Sequence, residues 1–184
     1  MARKRNTYCA LLRGINVGGK NIIPMAELRA CFEELGATRV RTYIQSGNVL
    51  FDSTLTRNKT LVTRIEEALS KSFAYEARVV VLEKQEYQEM IRSAHKGWGA
   101  REDQKHNAMF LVDQSDAAAH LATLPTPKRG IDTVSSSGSV IFWSAKKDQI
   151  TRSAMMQVSK LPAYKQMTVR NHKTTYKLAE MLDE

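Results

Sequence analysis

At 184 residues the chain is long enough to bury a sizeable core, as one domain or as two small halves. Hydrophobic residues make up 42%, enough to fold, and 28 Lys plus Arg against 19 Asp plus Glu give a formal net charge of +9, which favours anionic partners without locating a patch. Two cysteines in apolar runs, Cys9 and Cys31, exclude a disulfide framework, and no apolar stretch reaches the length of a secretory signal or a membrane span, so a cytoplasmic protein with no membrane association is expected.

Basic residues at the start, Arg3, Lys4 and Arg5, lead into Thr7 to Leu12, which reads as a short buried strand. It ends at Arg13-Gly14-Ile15-Asn16-Val17-Gly18-Gly19-Lys20-Asn21, where three glycines, two asparagines and two cations sit together. Glycine opens backbone conformations closed to other residues, and successive N–H groups can form a concave anion site, so this run is a candidate binding loop. Pro24 suits the first position of a helix carrying Met25, Leu28, Phe32 and Leu35 on one face, with Gly36 as its stop. Val40 to Ile44 and Val49 to Phe51 are strand-like runs around Gln45-Ser46-Gly47-Asn48, a hairpin turn by composition. A second amphipathic helix is expected from Asn58 to Phe73, then a strand over Ala77 to Leu82 and a helix from Glu83 to Ala94. Gly97-Trp98-Gly99 and the polar stretch to His106 mark a boundary, dividing the chain into halves 1–100 and 101–184.

The second half repeats the order. Asn107 to Val112 reads as a strand, and Asp113 or Ser115 as the cap of a helix through Leu124. Ile131 to Ser135 and Val140 to Trp143 form a second hairpin. Ile150, Ala154, Met155, Val158 and Leu161 mark a helix, Gln166 to Arg170 a strand, and Asn171 the cap of a last helix carrying Leu178, Ala179 and Leu182. Strand, helix, strand, strand, helix, strand is the split βαβ order of a ferredoxin-like unit, so the expected fold is α+β with two such halves, a tandem duplication packed together. Ser46 to Phe51 aligns with Ser137 to Phe142 at an offset of 91, and Thr7 to Leu12 with Asn107 to Val112 at an offset of 100. The surplus of 9 residues in the first half is about the size of the Gly14 to Ile22 loop, which reads as an elaboration on a repeated scaffold.

Gly14 through Lys20 formally fits the spacing of a nucleoside-triphosphate loop, but Asn21 stands where Ser or Thr should hold magnesium, and Pro24 places the helix start too late. Four histidines, His95, His106, His120 and His172, lack metal-ligand spacing, so no metal is expected. No Ser-His-Asp or Cys-His pairing follows from spacing; catalytic residues and catalysis itself remain open, and no cofactor is implied. At the last helix, Arg170, His172 and Lys173 crowd the positive end of the dipole, a placement that an anion would relieve.

The segments Ala10 to Asn21, Thr42 to Val49 and Thr168 to Asn171 closely resemble the bacterial family catalogued as domain of unknown function 1697. The resemblance implies an α+β fold with two ferredoxin-like parts and supplies no activity. His172 stands where that family commonly has an aromatic after the asparagine, which weakens a role for it. The same three polar stretches define the expected site. Arg13, Lys20 and Arg170 supply charge, the backbone around Gly14, Gly18 and Gly19 supplies N–H donors, and Asn16, Asn21, Gln45, Ser46, Asn48 and Asn171 orient a phosphate-bearing ligand. The expected partner is a nucleic acid or a phosphorylated small molecule; an enzyme on a small anionic substrate and a protein-interaction module are the alternatives. An RNA-recognition mechanism is disfavoured because Ser46 to Phe51 lacks its basic and aromatic strand pattern.

Overall fold

The computed structural model describes residues 5–55 and 59–184; Arg3, Lys4 and Asn58, named above, lie outside the described residues. The chain divides into two compact units, Met1–Gln88 with Leu178–Glu184, and Glu89–Lys177. Where the sequence places a break near Gly97 to Gly99, the contacts place it within a helix at Gln88, and the last residues of the C-terminal helix cluster with the first unit.

The first unit runs β1 (Asn6–Leu12), α1 (Met25–Glu34), β2 (Thr38–Tyr43), β3 (Asn48–Ser53), α2 (Lys59–Phe73) and β4 (Val79–Glu83), and leads into α3 (Lys84–Arg92). Its four strands lie in the order β2-β3-β1-β4, all antiparallel, which is the ferredoxin-like arrangement expected from the element order. One sheet face and the helices enclose a core in which Phe51 packs between Tyr8 and Phe32, at ring centroid distances of 5.5 and 5.1 Å. Helix α1 buries Leu28, Cys31 and Phe32, the stripe its spacing announces. Pro24 precedes this helix at its N-cap with ψ 136° instead of occupying its first turn, and its carbonyl accepts the Leu28 N–H at 3.0 Å.

The second unit repeats the plan with β5 (Gln104–Leu111), α4 (Ala117–Leu121), β6 (Asp132–Ser137), β7 (Val140–Lys146), α5 (Met155–Val158) and β8 (Met167–Asn171), in the order β6-β7-β5-β8. Helix α6 (His172–Asp183) follows β8. The two offsets read from the sequence hold in the register: Ala10 pairs with Val49, and Phe110 pairs with Val140. The chain is therefore α+β with two similar four-stranded halves.

Two helices depart from expectation. The segment after β5 forms only the short α4, capped by Asp116 through the Ala118 N–H at 2.9 Å, because Asp113 instead closes a tight turn on the Ser115 N–H and hydroxyl. The helix expected around Ile150 to Leu161 is broken into a 3₁₀ segment, Lys147–Arg152, and α5. The interruption at Ser153 and Ala154 has a cause: the Ser153 hydroxyl and the Ala154 N–H both donate to the carboxylate of Asp132.

Candidate functional site

The Gly-rich run leaves β1 and is built as a small hairpin. Val17 and Lys20 pair as an antiparallel bridge, with the Lys20 N–H on the Val17 carbonyl at 3.1 Å, and Asn16 N–H reaches the Asn21 carbonyl at 3.1 Å. Gly18 and Gly19 form its tip with φ of +59° and +73°, the two successive positive angles of a type I′ turn. Their N–H groups are not used in closing that turn and have no partner among the described residues. Lys20 thus sits at a hairpin tip and not in a first helical turn, so the magnesium-nucleotide geometry is absent for a structural reason as well as a chemical one.

Both asparagines of the run are committed to holding it. Asn16 Oδ1 accepts the Ile23 N–H at 2.9 Å, while its Nδ2 donates to the Ile23 carbonyl at 3.1 Å and the Gln45 carbonyl at 2.8 Å. Asn21 Nδ2 donates to the Gly14 carbonyl at 2.8 Å. Each has positive φ, a conformation asparagine tolerates better than most residues. Ile15 and Ile23 bury their side chains in the core and pin the base of the loop.

The Gln45 contact joins the loop to the β2–β3 turn. Residues Ile44 to Gly47 form that turn, with Ile44 at φ +46°, so Ile44 belongs to it and not to the strand before it. Asn48 is the first residue of β3 and fully buried; its Nδ2 donates to the Tyr43 carbonyl at 2.9 Å and to Ser46 Oγ at 3.0 Å, closing the turn from inside. The Leu12 N–H donates to the Gly47 carbonyl at 2.8 Å. Loop and turn are thus one structure, in which Gly14 to Asn21 and Gln45 to Asn48 lie side by side.

The outward face of that structure carries groups that serve no internal purpose. Lys20 is exposed, and so are Val17, Ile22 and Ile44, at 64%, 75% and 50%. Arg13 is half-buried, its backbone N–H on the Arg78 carbonyl and its Nε buried without a partner. The three aliphatics were absent from the site expected from sequence. The available signal was that Val17 and Ile22 interrupt a polar loop in which nothing apolar is needed.

The remaining predicted residues lie in the second unit. Arg170 is buried, its Nη1 donating to Thr168 Oγ1 at 2.8 Å and to the Val169 carbonyl at 2.9 Å. Asn171 caps α6 as expected, its Oδ1 accepting the Thr174 N–H at 2.9 Å. Among the described residues no group of His, Cys, Asp and Glu is placed to hold a metal ion, and Cys9 and Cys31 are buried and free. No helix among the described residues is long and apolar enough to cross a membrane.

The same unit holds a histidine cluster that sequence spacing did not reveal. His95, from the stretch after α3, and His106, on β5, both contact Ser144 on β7, and His172 at the start of α6 lies edge-on to His106 at a centroid distance of 5.2 Å. Trp98 packs against His106, His172, Phe142 and Tyr176.

No curated protein shows significant similarity to the chain. Among solved structures it resembles "conserved bacterial protein SP0830 from Streptococcus pneumoniae", with a TM-score of 0.86 and 28% identity over 97% of this chain and 99% of that one. The family described as "Protein of unknown function (DUF1697)" matches residues 5–142, which takes in the loop, the turn and the first hairpin, and ends within β7. The resemblance carried by Ala10 to Asn21 and Thr42 to Val49 is thereby established, and the chain belongs to that family.

Proposed function

We propose that the loop and turn of the first unit form a contact surface for a phosphate-bearing macromolecule, a nucleic acid, and act by binding. One observation carries the reading: a loop held by its own asparagines exposes a set of groups with no structural task, namely Lys20, the N–H groups of Gly18 and Gly19, and the side chains of Val17, Ile22 and Ile44. A rigid projection of this kind loses little entropy on binding. The net charge of +9 supports a polyanion, with Lys20 and Arg13 as the local cations and the aliphatics offering apolar contact to sugars and bases.

A small-ligand cradle draws less support, because the amides of Asn16, Asn21 and Asn48 that would surround such a ligand already hold the fold. A protein partner is the second reading, favoured by the three exposed aliphatics on one feature.

Retention of the full chain on single- and double-stranded RNA and DNA, measured across a salt series, separates the two. Binding to nucleic acid predicts a steep salt dependence, with Lys20→Ala lowering the slope of log affinity against log salt by about 0.7–0.9. Val17→Ser with Ile22→Ser should weaken retention and leave that slope unchanged. Absence of salt-sensitive retention on any nucleic acid rejects the proposal and leaves the protein-partner reading.

A further inference from the structure

Ser144 is fully buried between two imidazoles. Its hydroxyl oxygen lies 2.8 Å from His95 Nε2 and 2.7 Å from His106 Nδ1. The far end of each ring is also engaged: His106 Nε2 is 2.9 Å from the Arg101 carbonyl, and His95 Nδ1 is 3.2 Å from Ser135 Oγ. A carbonyl oxygen can only accept, so His106 Nε2 must carry a proton. This one constraint orients the whole chain when both rings are neutral. His106 Nδ1 is then a lone pair and takes the Ser144 O–H; the Ser144 oxygen takes a proton from His95 Nε2–H; and His95 Nδ1 takes the Ser135 O–H. The last step agrees with the His95 backbone, whose N–H donates to the same Ser135 oxygen at 3.2 Å.

We propose that Ser144 is a proton relay, passing one extra proton between His95 and His106 so that the pair stores a single charge in common. A proton enters at His95 Nδ1, on the half-buried ring, and makes His95 an imidazolium with Nε2–H on Ser144. The N–H bond at His95 Nε2 then breaks as its proton bonds to the Ser144 oxygen. In the same movement the original Ser144 proton leaves for His106 Nδ1. Ser144 ends neutral, the positive charge has moved from His95 to His106, and His95 is left with Nδ1–H directed at Ser135. Every hydrogen bond survives with its direction reversed between the rings, and no oxidant or co-reactant is involved.

A second proton is opposed. It would place two imidazolium ions on either side of one hydroxyl in a buried site, with no carboxylate hydrogen-bonded to any of the three rings among the described residues. The surroundings add to this opposition. His172 faces His106 from α6, Lys173 and Lys147 act on His172, and the Arg101 side chain is turned to Asp103 at 2.9 Å. Burial first, then the neighbouring His106, holds His95 below the usual imidazole range; burial, His106 and Lys173 do the same for His172. The cluster is therefore built to be neutral, and to take one proton when it takes any.

The test is a pH titration of the full chain labelled with ¹⁵N-histidine, following both ring nitrogens of each residue by long-range proton–nitrogen NMR. At neutral pH, His95 and His106 should both carry their proton on Nε2. On acidification the two rings should move together through one inflection, each with partial amplitude, because one added proton is shared between them through Ser144. Ser144→Ala should abolish the common inflection, so that the two rings no longer respond together. Ser115→Ala, whose hydroxyl contacts His120 and lies off the relay, should retain the common inflection. A proton on His106 Nδ1 in the wild-type protein at neutral pH overturns the proposal, as do matching titration curves for wild type and Ser144→Ala. The wild-type tautomers decide the matter even if the Ser144 variant does not fold.

Discussion

Gly47 and Gly138 are counterparts in the two hairpins by the offset of 91, and they provide a matched pair for testing how the loop is seated. Both have positive φ, +75° and +53°, so an alanine at either pays the same kind of left-handed backbone cost, about 1–2 kcal/mol. They differ in what a methyl group would meet. At Gly138 nothing lies within 4 Å, whereas at Gly47 a Cβ would stand 2.7 Å from Leu12 Cβ and 2.9 Å from Ile15 Cδ1. Ile15 Cδ1 is the end of a flexible side chain and can give way. Leu12 Cβ cannot, since it is attached to a central strand whose N–H is bonded to the Gly47 carbonyl. Forcing a methyl into a packed site of this kind costs a further 1–3 kcal/mol or so. Gly47→Ala should therefore destabilise the first unit by about 2–5 kcal/mol, against about 1–2 for Gly138→Ala in the second. Native-state hydrogen exchange reads the two units separately, through the amides of β1 and β5, and avoids assuming that they unfold as one. Equal losses at the two positions would refute the argument that the turn is wedged beneath the loop.

Asn16→Ala removes three hydrogen bonds that tie the loop to Ile23 and Gln45, and should cost about 1–3 kcal/mol, with faster proteolytic cleavage between Val17 and Lys20 and reduced nucleic-acid retention. Unchanged cleavage would show that the asparagine does not hold the loop. Asp132 accepts from Trp143 Nε1, Ser153 Oγ and the N–H groups of Lys128 and Ala154, so Asp132→Asn turns an amide donor toward other donors and should destabilise the second unit by about 2–4 kcal/mol in chemical denaturation. Burial pushes this carboxyl up, but the four donors together hold it below its usual range. A depressed folded value means stability that is present above the ordinary carboxylate range and lost as pH falls through the folded value, so the variant should show a flatter acid limb; an unaltered limb would count against the assignment.

The fold was legible because its signals are local. The stripe of Leu28, Cys31 and Phe32, and the hairpin turns bracketed by apolar strands, are written within a few residues of one another, and the register Ala10–Val49 and Phe110–Val140 then shows the repeat directly. The loop was legible as a place for the same reason, since glycine and asparagine at positive φ mark it in the sequence. What its side chains do was hidden. The partner of Asn16 at Gln45 is 29 residues away, and that single contact turns a presumed ligand-orienting amide into a tether. The broken helix before β8 depends likewise on Asp132, which is 21 residues from Ser153. Distance also concealed the ends of the chain. Arg41 on β2 pairs with Glu184 at 2.6 Å and donates to the Met181 carbonyl, so the last turn of α6 belongs with the first unit, which no local pattern announces.

The two similar halves differ in where their distinctive polar groups lie, and this explains why only one of the two sites could be anticipated. In the first, the connection between the opening strand and its helix is expanded into a rigid loop whose free groups face solvent. Insertions of that kind announce themselves by length and by turn residues. In the second, the same connection is short, and the polar investment lies inward, on His106 and Ser144, which face each other across β5 and β7. By the same offsets the first-unit counterparts are Asn6 and Ser53, also polar and also paired, so the histidine at this register leaves length and topology untouched. Such a change is visible only when the partners are seen together, since a buried serine shared by two histidines is costly unless every donor finds an acceptor. Along the path from Ser135 through His95, Ser144 and His106 to the Arg101 carbonyl each does, and that continuity distinguishes an ordered proton path from polar residues scattered in a core.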